Sequence, residues 1–245
     1  MSPQTPPPSP PIVLVPGHWL GAWAWDAVAA RLRATGHTVT ALTLPGLEDA
    51  VTPRAGIRYE DHVRAVLDAV TAHDGPVVLV AHSGAGAPVT SALDAAPERV
   101  ARVVYVDSGP SADGVVPEPD LRQDAVELPL PSFAELEAGG ASLAGLDAAA
   151  LDRFRERAVP HPAGALRERI VLRDDRRHGV PATLVCCSIP SATVQALVAS
   201  GEPMFAAVAA LTDARYVDLP TGHWPMWSAP AELADVLAGA AAGDA

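Results

Sequence analysis

"VVLVAHSGAGAP", residues 77–88, decides how this chain is read. Small β-branched residues run up to Ala81, and His82-Ser83-Gly84-Ala85-Gly86 then interrupts them with one serine among small neighbours. An apolar run that stops at glycines and resumes at helical spacing reads as a buried strand, a tight turn and a helix start. A turn of this kind either cradles a phosphate on its backbone amides or thrusts a hydroxyl into a pocket.

The phosphate reading rests on Gly84-x-Gly86 after a strand, with Asp107 ending the next strand where a ribose-binding carboxylate belongs. The third glycine of G-x-G-x-x-G would be residue 89, which is valine, and the unit is the third strand–helix turn rather than the first. The nucleophile reading accounts for more residues. A serine at such a bend sits in strained backbone, tolerated only beside small residues, and Ala81, Ala85 and Gly86 supply them. The free N–H groups at the start of the following helix then face a developing oxyanion, Gly84 N–H first.

Outward from the bend, strand and helix alternate. "IVLVPG" (12–17), "TVTALTLPG" (38–46), "VVLVAH" (77–82) and "ARVVYVDSG" (101–109) read as strands, with helices expected at 23–36, 59–73 and 87–97. From Pro110 to about Val180 the alternation stops, and "SLAGLDAAALDRFRERAV" (142–159) reads as amphipathic helix. It resumes with a strand at 182–187, a helix around 202–211, a strand at 214–219 and a helix at 231–242. The fold class expected is α/β: a mainly parallel sheet covered by helices on both faces. Residues 12–109 and 181–245 form its core, and 110–180 form a helical lid over the strand ends where such sheets bind ligands. Residues 1–11, rich in proline, read as a disordered leader.

A nucleophilic serine needs a base late in the chain, and "LPTGHWPMW" (219–227) offers His223 in a loop between a strand and the terminal helix. His37, His62 and His73 are expected on the surface. His161 and His178, in the excursion, are expected to be solvated unless they line the pocket. The ring of His82 is expected to pack under the turn, beside the substrate site. A second oxyanion donor is expected from "VLVPGHWLGAWAW" (13–25): Gly17 frees the backbone and His18 N–H faces the carbonyl oxygen. The His18 side chain reaches the pocket or stacks on Trp19 or Trp23; the sequence leaves both open. Trp19 and Trp224, in the two loops nearest the site, are candidates to contact substrate, while Trp23 and Trp25 read as core.

Composition sets the outer bounds. At 245 residues, a compact domain buries about 70–75% of the surface its unfolded chain exposes. All 17 basic residues are arginine and the net charge is −12, which argues against nucleic acid or an anionic membrane as partner. With no lysine, Schiff-base and P-loop chemistry are excluded. Cys186 and Cys187 are adjacent, point to opposite faces of a strand and read as small hydrophobes, not a redox or metal pair. No metal or cofactor is expected, nor a signal peptide or membrane span, so the chain reads as cytoplasmic. Its partner is a small-molecule substrate, with homodimerisation left open.

The three segments around His18, Ser83 and His223, in this order, resemble the α/β-hydrolase superfamily, in particular its esterase-like branch related to plant hydroxynitrile lyases and methylesterases. Members there carry H-G-x-W-x-G-x-W-x-W where this chain has Pro16-Gly17-His18-Trp19-Leu20-Gly21-Ala22-Trp23-Ala24-Trp25, and "VVYVDSGPSADG" (103–114) and "AVPHPAGALRERIVL" (158–172) match as well. The resemblance implies the α/β-hydrolase fold, a lid and a Ser–His–acid site. Two departures stand out. Pro16 replaces the usual histidine, and the usual position of the acid falls in "CCSIPSATVQ" (186–195), which has no carboxylate.

Asp107, ending the strand after that of the nucleophile, keeps the order Ser83…Asp107…His223 and is the expected acid; capping its own turn is the alternative use. Asp218 reads as a pairing or surface residue, and a Ser–His dyad remains an option. The expected activity is a serine hydrolase acting on an ester, lactone or thioester of a small apolar molecule. A lyase or cyclase using the same pocket and a silent ligand-binding protein are the competing readings.

Overall fold

The computed structural model describes residues 9–243. Among these, the strands in chain order are β1 (Ile12–Val15), β2 (Val39–Ala41), β3 (Val77–His82), β4 (Val100–Val106), β5 (Glu127–Leu128), β6 (His161–Pro162), β7 (Ala182–Cys186) and β8 (Ala214–Asp218). Six of them form one sheet of order β2-β1-β3-β4-β7-β8, every neighbouring pair parallel; β5 and β6 form a separate antiparallel pair. The helices are α1 (Asp26–Ala34), α2 (Tyr59–Thr71), α3 (Gly86–Ala95), α4 (Phe133–Ala138), α5 (Ala148–Arg157), α6 (Gly164–Arg167), α7 (Ser191–Ala199), α8 (Ala206–Ala209), α9 (Pro225–Ser228) and α10 (Pro230–Ala242).

The apolar runs of β1 (Ile12–Val15), residues 77–81 of β3 and residues 103–106 of β4 follow from burial on both faces. Alternate residues divide between two cores. Ile12, Leu14, Val78, Val80, Val104 and Val106 pack with Val28 and Leu32 of α1 and Leu233 and Leu237 of α10. Val13, Val15, Leu79, Ala81, Val103 and Tyr105 pack with Val66 and Val70 of α2 and Val89 and Leu93 of α3. Each fully buried Val, Leu or Ile contributes about 1.5–3 kcal/mol, so these three strands anchor the fold. The chain runs from β1 outward to β2 and returns to β3 on the other side of β1. That reversal opens a crevice at the carboxyl ends of β1 and β3, where ligands bind in open α/β sheets.

Several boundaries differ from expectation. Residues 1–8 of the expected leader lie outside the described residues, while Pro11, just before β1, is tied to β3, its carbonyl accepting the Val78 N–H at 2.8 Å. The helix expected at 142–159 is α5, which starts late because the Asp147 side chain caps it, accepting Ala150 N–H at 2.8 Å. The helix expected around 202–211 is a 3-10 turn at Pro203–Phe205 followed by the single turn of α8. Helix α7 was not foreseen. It begins where Asp218 of β8 accepts both the N–H and the hydroxyl of Ser191 at 2.7 Å, a cap supplied from another strand. The β5–β6 pair, two residues long on each side, carries no periodicity to read.

Candidate active site

Strand register sets the site. His82 pairs with Val106, so Ser83 and Asp107 are the next residues on adjacent strands, and Val15 pairs with Ala81, which brings the loop after β1 alongside. Among the described residues, three non-glycine positions have positive φ: Trp19 (65°), Ser83 (52°) and Asp107 (42°). All three follow a strand carboxyl end, and backbone of this kind persists only where its surroundings hold it. The Ser83 bend is held tightly, since a Cβ on Gly17 would stand 2.8 Å from Ser83 Cβ and 2.9 Å from His82 Nδ1. Only glycine fits at 17.

His223 joins the two strand ends. Its Nε2 lies 2.7 Å from Ser83 Oγ and its Nδ1 lies 2.6 Å from Asp107 Oδ2. Burial alone raises the Asp107 carboxyl, but hydrogen bonds from His223 and Ser188 and the charge of His223 outweigh it and hold it down to about 2. An ionised carboxylate only accepts, so His223 Nδ1 carries the hydrogen and its Nε2 accepts from the Ser83 hydroxyl. Asp107 is otherwise saturated: Oδ1 accepts the N–H of Cys187 at 3.1 Å and of Ser188 at 2.8 Å, and Oδ2 accepts the Ser188 hydroxyl at 2.6 Å. Asp218 is engaged with Ser191 and stands away from this arrangement.

The loop carrying His223 is fastened from two sides. Below it, His82 is buried and its Nε2–H donates to the His223 carbonyl at 2.7 Å. Burial first, then the charge of His223, lowers His82 to about 3, so the ring stays neutral. His82 lies under the turn as expected, yet it has no exposed edge for substrate. Above the loop, His223 N–H donates to Ser142 O at 2.7 Å and Gly222 N–H to Ala144 O at 3.0 Å. A Cβ on Gly222 would stand 2.5 Å from both of those carbonyl oxygens. Trp224, expected to contact substrate, is buried instead, 5.0 Å from the Phe154 ring and near-parallel to Trp227. Its bulk is spent on joining α5 to the terminal helices.

The loop after β1 forms the opposite wall. Trp19 Nε1–H donates to Leu128 O at 3.0 Å, and Trp19 O accepts Val159 N–H at 2.9 Å, so the chain between β4 and β7 holds this loop too. The His18 ring stands edge-on to Trp19, 5.5 Å away, and covers Gly84, where a Cβ would collide with it. Burial, with the charges of His62 and His223, lowers His18 to about 4. Its ring centroid is 4.7 Å from that of His161, which lies 5.2 Å from that of His62. His62, expected at the surface, is buried, and of the two uses left open for His161 it has the pocket-lining one, buried beside His18. For His62 the signal was present: with Tyr59, Val66 and Val70 it forms the inward stripe of α2. For His161, placement in β6 is purely tertiary.

Trp25 is in the core as expected, while Trp23 is only half-buried, stacked on Trp227 at 5.5 Å. Cys186 and Cys187 are free thiols facing different clusters. Sequence reasoning missed Ser188, whose one signal was its place in the loop where the acid was sought and not found. Among the described residues no group of three or more His, Cys, Asp or Glu side chains could hold a metal ion, and no helix is long and apolar enough to cross a membrane.

With this geometry in view, the chain can be set beside known proteins. A family model described as "Alpha/beta hydrolase family" matches residues 12–236. A carbendazim hydrolyzing esterase of Nocardioides sp. (strain SG-4G) is 32% identical over 92% of this chain and 97% of its own. Esterase PIR7B of Oryza sativa subsp. japonica is 41% identical over a shorter stretch, 38% of this chain and 37% of that one. In three dimensions, the methylesterase MES16 of Arabidopsis superposes with a TM-score of 0.73 at 19% identity, over 95% of this chain and 98% of that one. The match spans both halves of the sheet and the segment between them, and the chain belongs to the alpha/beta hydrolase family.

Proposed function

We propose that this protein hydrolyses a carboxylic ester of a small, mostly apolar molecule, with Ser83 as nucleophile, His223 as general base and acid, and Asp107 as the orienting acid. The observation that carries the reading is the imidazole bridging Ser83 Oγ at 2.7 Å and Asp107 Oδ2 at 2.6 Å. The 32% identical relative, an esterase, supports ester hydrolysis as the reaction class.

In the first half-reaction Ser83 Oγ attacks the ester carbonyl while its proton passes to His223 Nε2. The carbonyl oxygen becomes an oxyanion held by the N–H groups of His18 and Gly84, each donor of this kind contributing about 10²–10³ in rate. His223, now charged and stabilised by Asp107, gives its proton to the leaving alcohol as the bond to the acyl carbon breaks. Water, deprotonated by the same Nε2, attacks the acyl-enzyme; the proton returns to Ser83 and the acid product leaves. Neutral rings at His18, His82 and His161 add no positive charge that would compete for the carboxylate.

The chain between β4 and β7, including the expected lid at 110–180, covers the site and positions both loops that carry its parts. A passive serine in a lyase or cyclase was the reading favoured by a missing acid, and it loses that support once Asp107 holds His223 Nδ1. The test is turnover of p-nitrophenyl acetate and labelling by a fluorophosphonate. Ser83→Ala is expected to lower kcat at least about 10⁴-fold and to abolish labelling; equal turnover by both proteins overturns the mechanism.

A further inference from the structure

Two cavities border the residues of this site, and they differ greatly in size. The space beside His18, Gly84, Tyr59, His62 and His161 amounts to about 10 Å³, room for about one water. The other, about 470 Å³, has His223 on its wall and lies between the Asp107–Pro110 loop, β7 and the α7–α8 segment. That volume is in the range of small-molecule sites. Ser83 itself lines neither space; His223 lines the larger and His18 the smaller.

The larger cavity has a definite chemistry. Leu184, Val194, Phe205 and Val208 line it, and Asp107, His223 and the Cys186 thiol, which burial pushes up to about 11, are its ionisable groups; no arginine lines it. Two more lining residues, Ile189 and Met204, are 42% and 82% exposed and belong to the small set of large hydrophobics the protein leaves in solvent. An apolar rim leading to an apolar void beside an ionised carboxylate suits a neutral hydrophobic group and repels an anionic one.

We propose that this cavity receives the alcohol portion of the ester, and that the enzyme therefore selects neutral esters of bulky apolar alcohols over esters of bulky acids. The inference rests on the hydrolytic reading above. In the tetrahedral intermediate the oxyanion points to the amides of His18 and Gly84, on the side where only about 10 Å³ is free. The leaving oxygen must face His223 Nε2 to take its proton. Whatever that oxygen carries extends past the imidazole, and the space bordering the imidazole is the 470 Å³ cavity.

The experiment compares kcat/KM over two homologous series: acetates of methanol, propanol, pentanol and heptanol, and methyl esters of the corresponding acids. The alcohol series is expected to rise about fourfold per methylene until the cavity fills, the worth of one buried methylene, while the acid series stays flat. Val208→Trp, which fills the cavity, is expected to reduce the heptyl-to-methyl ratio at least tenfold. Met204→Trp, placed on an exposed residue, repeats the test with no disturbance of the core. A slope that follows the acid series, or an alcohol slope that survives in both variants, overturns the proposal while leaving ester hydrolysis intact. Absence of Ser83-dependent turnover of any ester overturns the hydrolytic reading and takes this one with it.

Discussion

Ser83 and Asp107 stand on adjacent strand ends at the same height of the sheet, and the register of β3 and β4 alone brings them side by side. Trp19 and His223 stand in loops, and each is tied to the chain between β4 and β7: Trp19 to Leu128 and Val159, His223 to Ser142. The first pair is therefore as rigid as the sheet's hydrogen-bonded ladder. The second pair is only as well placed as the inserted segment is docked. In the proposed mechanism the nucleophile and acid belong to the scaffold, the base and oxyanion loop to the contact between scaffold and insert, and the two halves fail in different ways.

The largest effect is expected from breaking the scaffold half. Asp107→Asn keeps the shape but places an amide opposite His223 Nδ1, which lets the ring take the wrong tautomer, and kcat is expected to fall about 10⁴-fold. Circular dichroism and urea unfolding would check that the fold persists; a loss below tenfold would mean that Asp107 merely caps its turn. Breaking the insert half costs less. Gly222→Ala drives a methyl group into the carbonyls of Ser142 and Ala144, so loop and insert must part. A displacement near 1 Å at His223 is expected to lower kcat about 10²-fold, with a stability loss of about 1–3 kcal/mol in denaturant titration.

The smallest effect is electrostatic. Asp107 titrates near 2 in the folded state against 3.8 for an ordinary aspartate, so its folded carboxyl is depressed. A depressed acid contributes stability that is present above about pH 4 and disappears as pH falls through 2, here about 2 kcal/mol. Ser188→Ala removes one hydroxyl from Asp107 Oδ2, raises the folded value toward the ordinary one and shrinks that contribution. Unfolding free energies measured at pH 5 and pH 2 are expected to differ less in the variant than in the wild type. An unchanged difference would mean that the hydroxyl does not hold the carboxylate.

How much of this was legible beforehand differs between the halves for the same reason. Strands β1, β3 and β4 are mostly apolar, and their ends are marked by glycine and by Ser83 and Asp107, so the scaffold half could be read from local pattern. The bend at Ser83 was legible because small residues crowd around it, and its positive φ agrees with that. The insert half was read poorly. Helix α5 starts at Ala148 rather than near 142, and the β5–β6 pair was absent from the reading; beyond β7, α7 was absent too, its cap being Asp218 of another strand on Ser191. Trp224 was misplaced, and the choice between pocket and solvent for His161 stayed open, because their burial depends on what docks against them.

By itself the sequence determined a parallel sheet between two helical layers, one bend able to hold a strained serine, and a histidine late enough in the chain to reach it. These are consequences of local periodicity and of residue size at a turn, and they need no knowledge of what lies far away. The tertiary structure alone decided that Asp107 is hydrogen-bonded to His223 while Asp218 caps a helix, that His82 lies beneath the His223 loop, and that the larger open space borders the imidazole. Each of those depends on which segments meet across 27 to 141 residues of chain or on how completely they pack, and periodicity carries no record of either.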